Sequence, residues 1–98
     1  MTTKASVDAW SDLAIPPGET LRDELRARGL TQKELATRTG RPPQVISEIV
    51  RGKKAITAET ALALEGVLDG ISARFWLNLQ SDYELTLARN RRQAGPAA

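Results

Sequence analysis

Between Arg38 and Lys54 the sequence RTGRPPQVISEIVRGKK carries five basic residues (Arg38, Arg41, Arg51, Lys53 and Lys54) against one acid, Glu48. Cations at that density suit a polyanion, above all the regular phosphate array of a nucleic acid. The bulk charge would not have suggested it: over 98 residues, 14 Lys and Arg face 12 Asp and Glu, a net charge of +2. What is missing is as selective. There is no cysteine and no histidine, so disulfides, zinc fingers, thiol nucleophiles and imidazole bases are all ruled out. Asp82 and Glu84 alternate with apolar residues on an expected helix and point to different faces, and no glycine-rich phosphate loop stands near them. No enzyme is expected, and no catalytic residue, metal site or cofactor is assigned.

The elements that would hold the basic cluster are helices. Residues 1–14 are polar apart from Val7, Trp10, Leu13 and Ala14, and read as a flexible arm leading to a turn at Ile15-Pro16-Pro17-Gly18. From about Glu19 to Arg28, Leu21 and Leu25 share a face at i, i+4, and Gly29 can stop that helix in the left-handed conformation. Thr31 with Glu34 has capping-box spacing and opens a second, short helix from Gln32 to Arg38, with Leu35 and Ala36 inward and Gly40 at its end. A third helix, about Pro43 to Val50, starts on a proline pair. Pro43 suits the first helical position, where its missing N–H would have no partner, and Pro42 keeps Arg41 out of the α region. Gly52 closes it.

A fourth helix, Ala58 to Leu68, follows the cap Thr57 with Ala61, Leu62, Leu64, Glu65 and Leu68 as its inward stripe. Ser72 caps a fifth, about Ala73 to Arg89, which carries Phe75, Trp76 and Tyr83, three of the four aromatics. Residues 90–98 read as a disordered tail. There is no internal repeat and no strand signal, so one all-α domain over about residues 15–89 is expected. The N-terminus lacks an apolar leader and no stretch approaches the ~18 apolar residues of a membrane span, which predicts a cytoplasmic protein without membrane contact.

Two short helices joined by a glycine-containing turn, the second flanked by cations, form a helix-turn-helix, whose second helix fits the major groove of B-DNA. LTQKELATRTG followed by QVISEIVRGKKAITAETALALEGVL resembles the Xre (Cro/C1-type) helix-turn-helix domain. IPPGETLRDELRARGLTQ before it, and the F-W-x-x-L-Q-x-x-Y-x-L pattern of the last helix, resemble the HigA (VapI-like) antitoxin branch. The resemblance implies a five-helix, lambda-repressor-like domain. It also implies a homodimeric antitoxin that neutralises a HigB-like toxin, a RelE-like mRNA endonuclease, and represses its own operon by binding operator DNA. A stand-alone Xre-type regulator without a toxin is the alternative, which a neighbouring gene for a small basic protein would discriminate. An RNA-binding module is disfavoured, since no aromatic stacking platform is present.

In this domain type the start of the third helix faces base edges, which here means Pro43, Gln44, Ser47 and Glu48. Proline has no donor and can make only apolar contact, for example with a thymine methyl, so readout shifts to Gln44 and Ser47; Gln44 can pair with adenine N6 and N7. Glu48 can accept from cytosine N4, but pairing with Arg51 or Lys33 is preferred. Gln32, Arg41, Arg51, Lys53 and Lys54 are expected on phosphates, fixing register without reading sequence; Gln32 has the alternative of bracing the reading helix. In the last helix Phe75 and Leu79 fit a core. Trp76, Leu79 and Tyr83 are expected at a dimer interface, which would set two reading helices about 34 Å apart on one face of DNA. Trp10 either folds back on the core or anchors a partner.

Overall fold

The computed structural model describes residues 13–94. Residues 1–12, with Val7 and Trp10, and residues 95–98 lie outside that range, and with them the expectations for the arm and the extreme tail. Five helices follow one another, α1 (Pro17–Arg28), α2 (Gln32–Thr39), α3 (Pro43–Val50), α4 (Ala58–Val67) and α5 (Ala73–Ala94). No strand occurs among the described residues. No helix there is long and apolar enough to cross a membrane.

The helix ends are written in local chemistry. At α2 the Thr31 hydroxyl accepts from the Glu34 N–H (3.0 Å) while the Glu34 carboxylate accepts from the Thr31 N–H (2.8 Å). The Thr31 backbone N–H first, and the Thr31 hydroxyl after it, hold the Glu34 carboxyl below its usual range. Thr57 and Ser72 cap α4 and α5 through bonds from Thr60 N–H (3.3 Å) and Phe75 N–H (3.1 Å). At the end of α2, Gly40 adopts φ 72°, which lets the Arg41 N–H turn back onto the Ala36 carbonyl (3.1 Å). That geometry is the left-handed terminator that glycine supplies at least cost.

One core joins all five helices. Leu21 and Leu25 of α1, Leu35 and Ala36 of α2, Ile46, Ile49 and Val50 of α3, Ala61 and Leu64 of α4, and Trp76 of α5 are buried together with Ile56 and Leu68. Helix α1 packs on α3 and α5, α2 on α3 and α4, and α4 on α5. The turn of the helix-turn-helix is therefore fixed from behind by the same residues that make the core.

Several sequence expectations need correction. Pro17 and Gly18 belong to the first turn of α1 rather than to a preceding loop, since Pro16 stands in extended conformation (φ −68°, ψ 147°) as the cap. Leu62, placed in the inward stripe of α4, is 61% exposed, and Glu65 points outward, where its carboxylate accepts from the Ala73 N–H (2.8 Å). Helix α5 runs to Ala94, five residues past Arg89. Arg91, Arg92 and Gln93 are good helix formers, the arginines favour the negative end of the dipole, and the first breakers are Gly95 and Pro96.

The aromatics of α5 have exchanged roles. Phe75, expected in the core, is 41% exposed, whereas Trp76, expected at a dimer interface, is wholly buried within its own chain. Adjacent helical residues face about 100° apart, so only one of the pair can point at the bundle, and the larger indole fills it. The two rings still meet edge to face, 5.4 Å between centroids at 80°. Among the described residues no acceptor meets the Trp76 indole N–H, so the side chain is held by packing alone.

Candidate nucleic-acid interface

Helix α3 is divided between two environments. Its inner side, Ile46, Ile49 and Val50, is locked in the core. Its first turn is open: Pro42, Pro43 and Gln44 are exposed, with Ser47 and Glu48 half-buried one turn further along. A helix whose apolar stripe is fully spent on the domain can present its other face to a groove without any loss of packing. Of the four residues expected at base edges, Pro43 and Gln44 thus stand fully outward and Ser47 and Glu48 on the flank.

Glu48 finds a different partner from the one expected. Gln44 Nε2 donates to its Oε2 at 3.4 Å, an i, i+4 contact, and neither Arg51 nor Lys33 forms an ion pair with it within 4 Å. The reason is geometric: Gln44 lies one turn N-terminal on the same face of α3, whereas Arg51 lies beyond the end of the helix, at its C-cap.

The residues expected on phosphates lie in the elements before and after this helix. Gln32 is exposed at the first position of α2, and Arg51, Lys53 and Lys54 are exposed after α3. The loop bearing the lysines is anchored at its start, where the Gly52 N–H reaches Ile49 O (3.0 Å) and the Gly52 φ of 78° turns the Lys53 N–H onto Glu48 O (2.8 Å). Arg41 is already engaged, its guanidinium 3.7 Å from the Glu59 carboxylate on α4. Glu59 is 84% exposed there, and such a surface pair contributes about 0–1 kcal/mol, so a phosphate can displace it. Sequence reasoning missed Glu59; an acid in the first turn of a helix beside a cationic turn was the available signal.

Close approach also explains Gly18. A Cβ there would collide with Ile49 O and lie 2.7 Å from Val50 O, so α1 enters the fold by laying its glycine on the carbonyl end of α3. Leu79 and Tyr83, two of the three residues expected at a dimer interface, are half-buried and line a groove with Leu13, Ile15 and Thr86. Trp76 does not share that surface.

The helix-turn-helix family HTH_3 matches residues 21–76, from α1 to the first turn of α5. The chain is 44% identical over 82 residues to virulence-associated protein I of Dichelobacter nodosus, covering 83% of this chain and 75% of that protein. Antitoxin HigA-1 of Vibrio cholerae is 38% identical over 77 residues, 78% of this chain and 71% of its own. Among solved structures, the antitoxin HigA of Pseudomonas aeruginosa with the higBA promoter superposes with a TM-score of 0.75 at 36% identity, covering 88% of this chain and 96% of that one. With five helices in this arrangement and matches spanning most of its length, the chain belongs to the Xre-type helix-turn-helix family and, within it, to the HigA-like antitoxins.

Proposed function

We propose that this HigA-like DNA-binding regulator acts as the antitoxin of a HigBA-like pair: a homodimer that binds its own operator, represses the operon, and neutralises a RelE-like mRNA endonuclease. The observation that carries the DNA half is the division of α3, with Ile46, Ile49 and Val50 buried and Pro43 and Gln44 outward between cations on either side. Gln44 and Ser47 read base edges, Pro43 makes apolar contact, and Gln32, Arg41, Arg51, Lys53 and Lys54 hold phosphates. The HigA of Pseudomonas aeruginosa solved with the higBA promoter supports this reading. Leu79 and Tyr83, with Leu13 and Ile15 beside them, supply the dimer surface along α5.

The test couples two measurements. Co-expression with the product of the adjacent gene, followed by affinity purification and a gel shift on the shared promoter, is expected to yield a complex that binds that promoter. In the gel shift, Gln44→Ala lowers affinity for the operator by a factor of about 10 or more, as removal of a bidentate base pairing does, with little change on random DNA. Lys54→Ala weakens both DNAs alike. Equal loss on both DNAs for Gln44→Ala would remove Gln44 from base reading. A chain that binds the promoter but copurifies with no neighbour product would be a stand-alone regulator.

A further inference from the structure

The last helix carries a residue that neither core nor dimer surface accounts for. Gln80 is buried, an unusual place for an amide, and both ends of its side chain are bonded. Its Oε1 accepts from the Ile56 N–H at 2.9 Å, and its Nε2 donates to Glu84 Oε2 at 2.9 Å. Ile56 ends the segment Gly52-Lys53-Lys54-Ala55, which follows the reading helix, and α4 begins two residues later.

That segment is held at its ends and open in between. At one end Gly52 lies against the Pro16 ring and the Lys53 N–H is bonded to Glu48 O (2.8 Å), and at the other Ile56 is buried. Lys53, Lys54 and Ala55 are exposed between them. A cleft of about 200 Å³, lined by Pro16, Gly52, Lys53, Lys54, Tyr83 and Glu84 among others, separates the segment from α5. Apolar packing therefore does not fix where the lysines stand. The Ile56 N–H is a buried donor that must be satisfied, and Gln80 satisfies it while its amide nitrogen donates to Glu84.

We infer that Gln80 is a positioning residue for DNA binding: through Ile56 it sets the loop that carries Lys53 and Lys54, so that α5 determines how many phosphates the domain neutralises. The inference rests on the assignment of those lysines to phosphates, and the experiment separates the two. The readout is the slope of log Kobs for operator DNA against log salt, which shrinks by about 0.9 for each phosphate no longer neutralised and which a lowered melting temperature alone leaves unchanged.

Three variants are compared with the wild-type chain. Lys53→Ala/Lys54→Ala is expected to reduce the slope by about 1.8. Gln80→Met, of similar length with only a weakly accepting thioether, is expected to reduce it by about 1 or more with both lysines present. Gln80→Glu/Glu84→Gln exchanges acceptor and donor at constant charge, so that position 80 still accepts from Ile56, and it restores the wild-type slope. If the lysine pair lowers the slope and Gln80→Met keeps it, the inference is overturned. If the lysine pair itself has no effect on the slope, the phosphate assignment fails and the inference falls with it. Should Gln80→Met fail to fold, amide exchange in the wild-type protein decides: protection of the Ile56 N–H equal to that of core helix amides supports it, and exchange at the rate of the open loop overturns it.

Discussion

Two helices of this domain begin on the same dipeptide and put it to opposite uses. Pro16-Pro17 opens α1 and Pro42-Pro43 opens α3, with nearly the same cap conformation (φ −68°, ψ 147° and φ −61°, ψ 142°) and no side-chain cap in either case. The next residue is Gly18 in one and Gln44 in the other. Gly18 is buried on the carbonyls of Ile49 and Val50; Gln44 is exposed. The proline pair fixes where a helix starts, and the residue after it decides whether the first turn serves packing or presentation. The two are also linked, because the carbonyls that receive Gly18 are those of α3 itself.

Gly18→Ala puts that division to its most severe test. In an open helix the change would help, alanine being better than glycine by about 1 kcal/mol. Here the new methyl meets backbone oxygens that cannot swing aside. Overpacking of this kind costs about 3 kcal/mol, so thermal or urea unfolding should show a large loss of stability. Gln44→Ala at the matching position of α3 should unfold within about 0.5 kcal/mol of wild type, as surface substitutions do. A Gly18→Ala protein as stable as the wild type would mean that α1 does not rest on α3 in this way.

How far the sequence disclosed this division differs between the two starts. The third helix was legible to the residue, because Pro42-Pro43 stood between two glycine-delimited apolar runs. The equivalent pair at Pro16-Pro17 read as a turn, because the polar arm before it and Gly18 after it both suggested a loop, and the close approach that requires glycine there is a tertiary fact. Phe75 and Trp76 show the same limit. Spacing of three and four places both on an inward stripe, and only the angular position of α5 against α4 decides which ring is enclosed. Gln80 lay in a recognised pattern, but its role depends on Ile56, 24 residues away, which no local signal reports.

Helix α2 starts without proline, and a smaller effect is expected there. Its cap is made by side chains, and Thr31→Ala should cost about 1 kcal/mol in an unfolding titration. That cap also introduces a pH dependence that α1 and α3 lack, since no ionisable side chain caps them. The bonds from Thr31 depress the Glu34 carboxyl, so its contribution is present above the ordinary carboxylate range and is lost as pH falls through the lowered folded-state value. Glu34→Gln keeps an acceptor for the Thr31 N–H without the charge. Stability of that variant should vary less between neutral and acid pH than that of the wild type, and an unchanged acid limb would remove Glu34 from the cap.

The smallest effect is expected at Pro43 itself. It is exposed and at the first helical position, where the N–H that alanine would restore has no intrahelical partner. Pro43→Ala therefore removes only the restriction that proline places on the unfolded chain, worth about 0.5 kcal/mol, and Pro42 still holds Arg41 out of the α region. On DNA the variant should bind the operator within a factor of about three of wild type, because a ring without donors contributes only apolar contact to readout. A loss as large as that of Gln44→Ala would show that the proline ring is itself a specific contact, and that this start serves presentation through both of its exposed residues rather than through Gln44 alone.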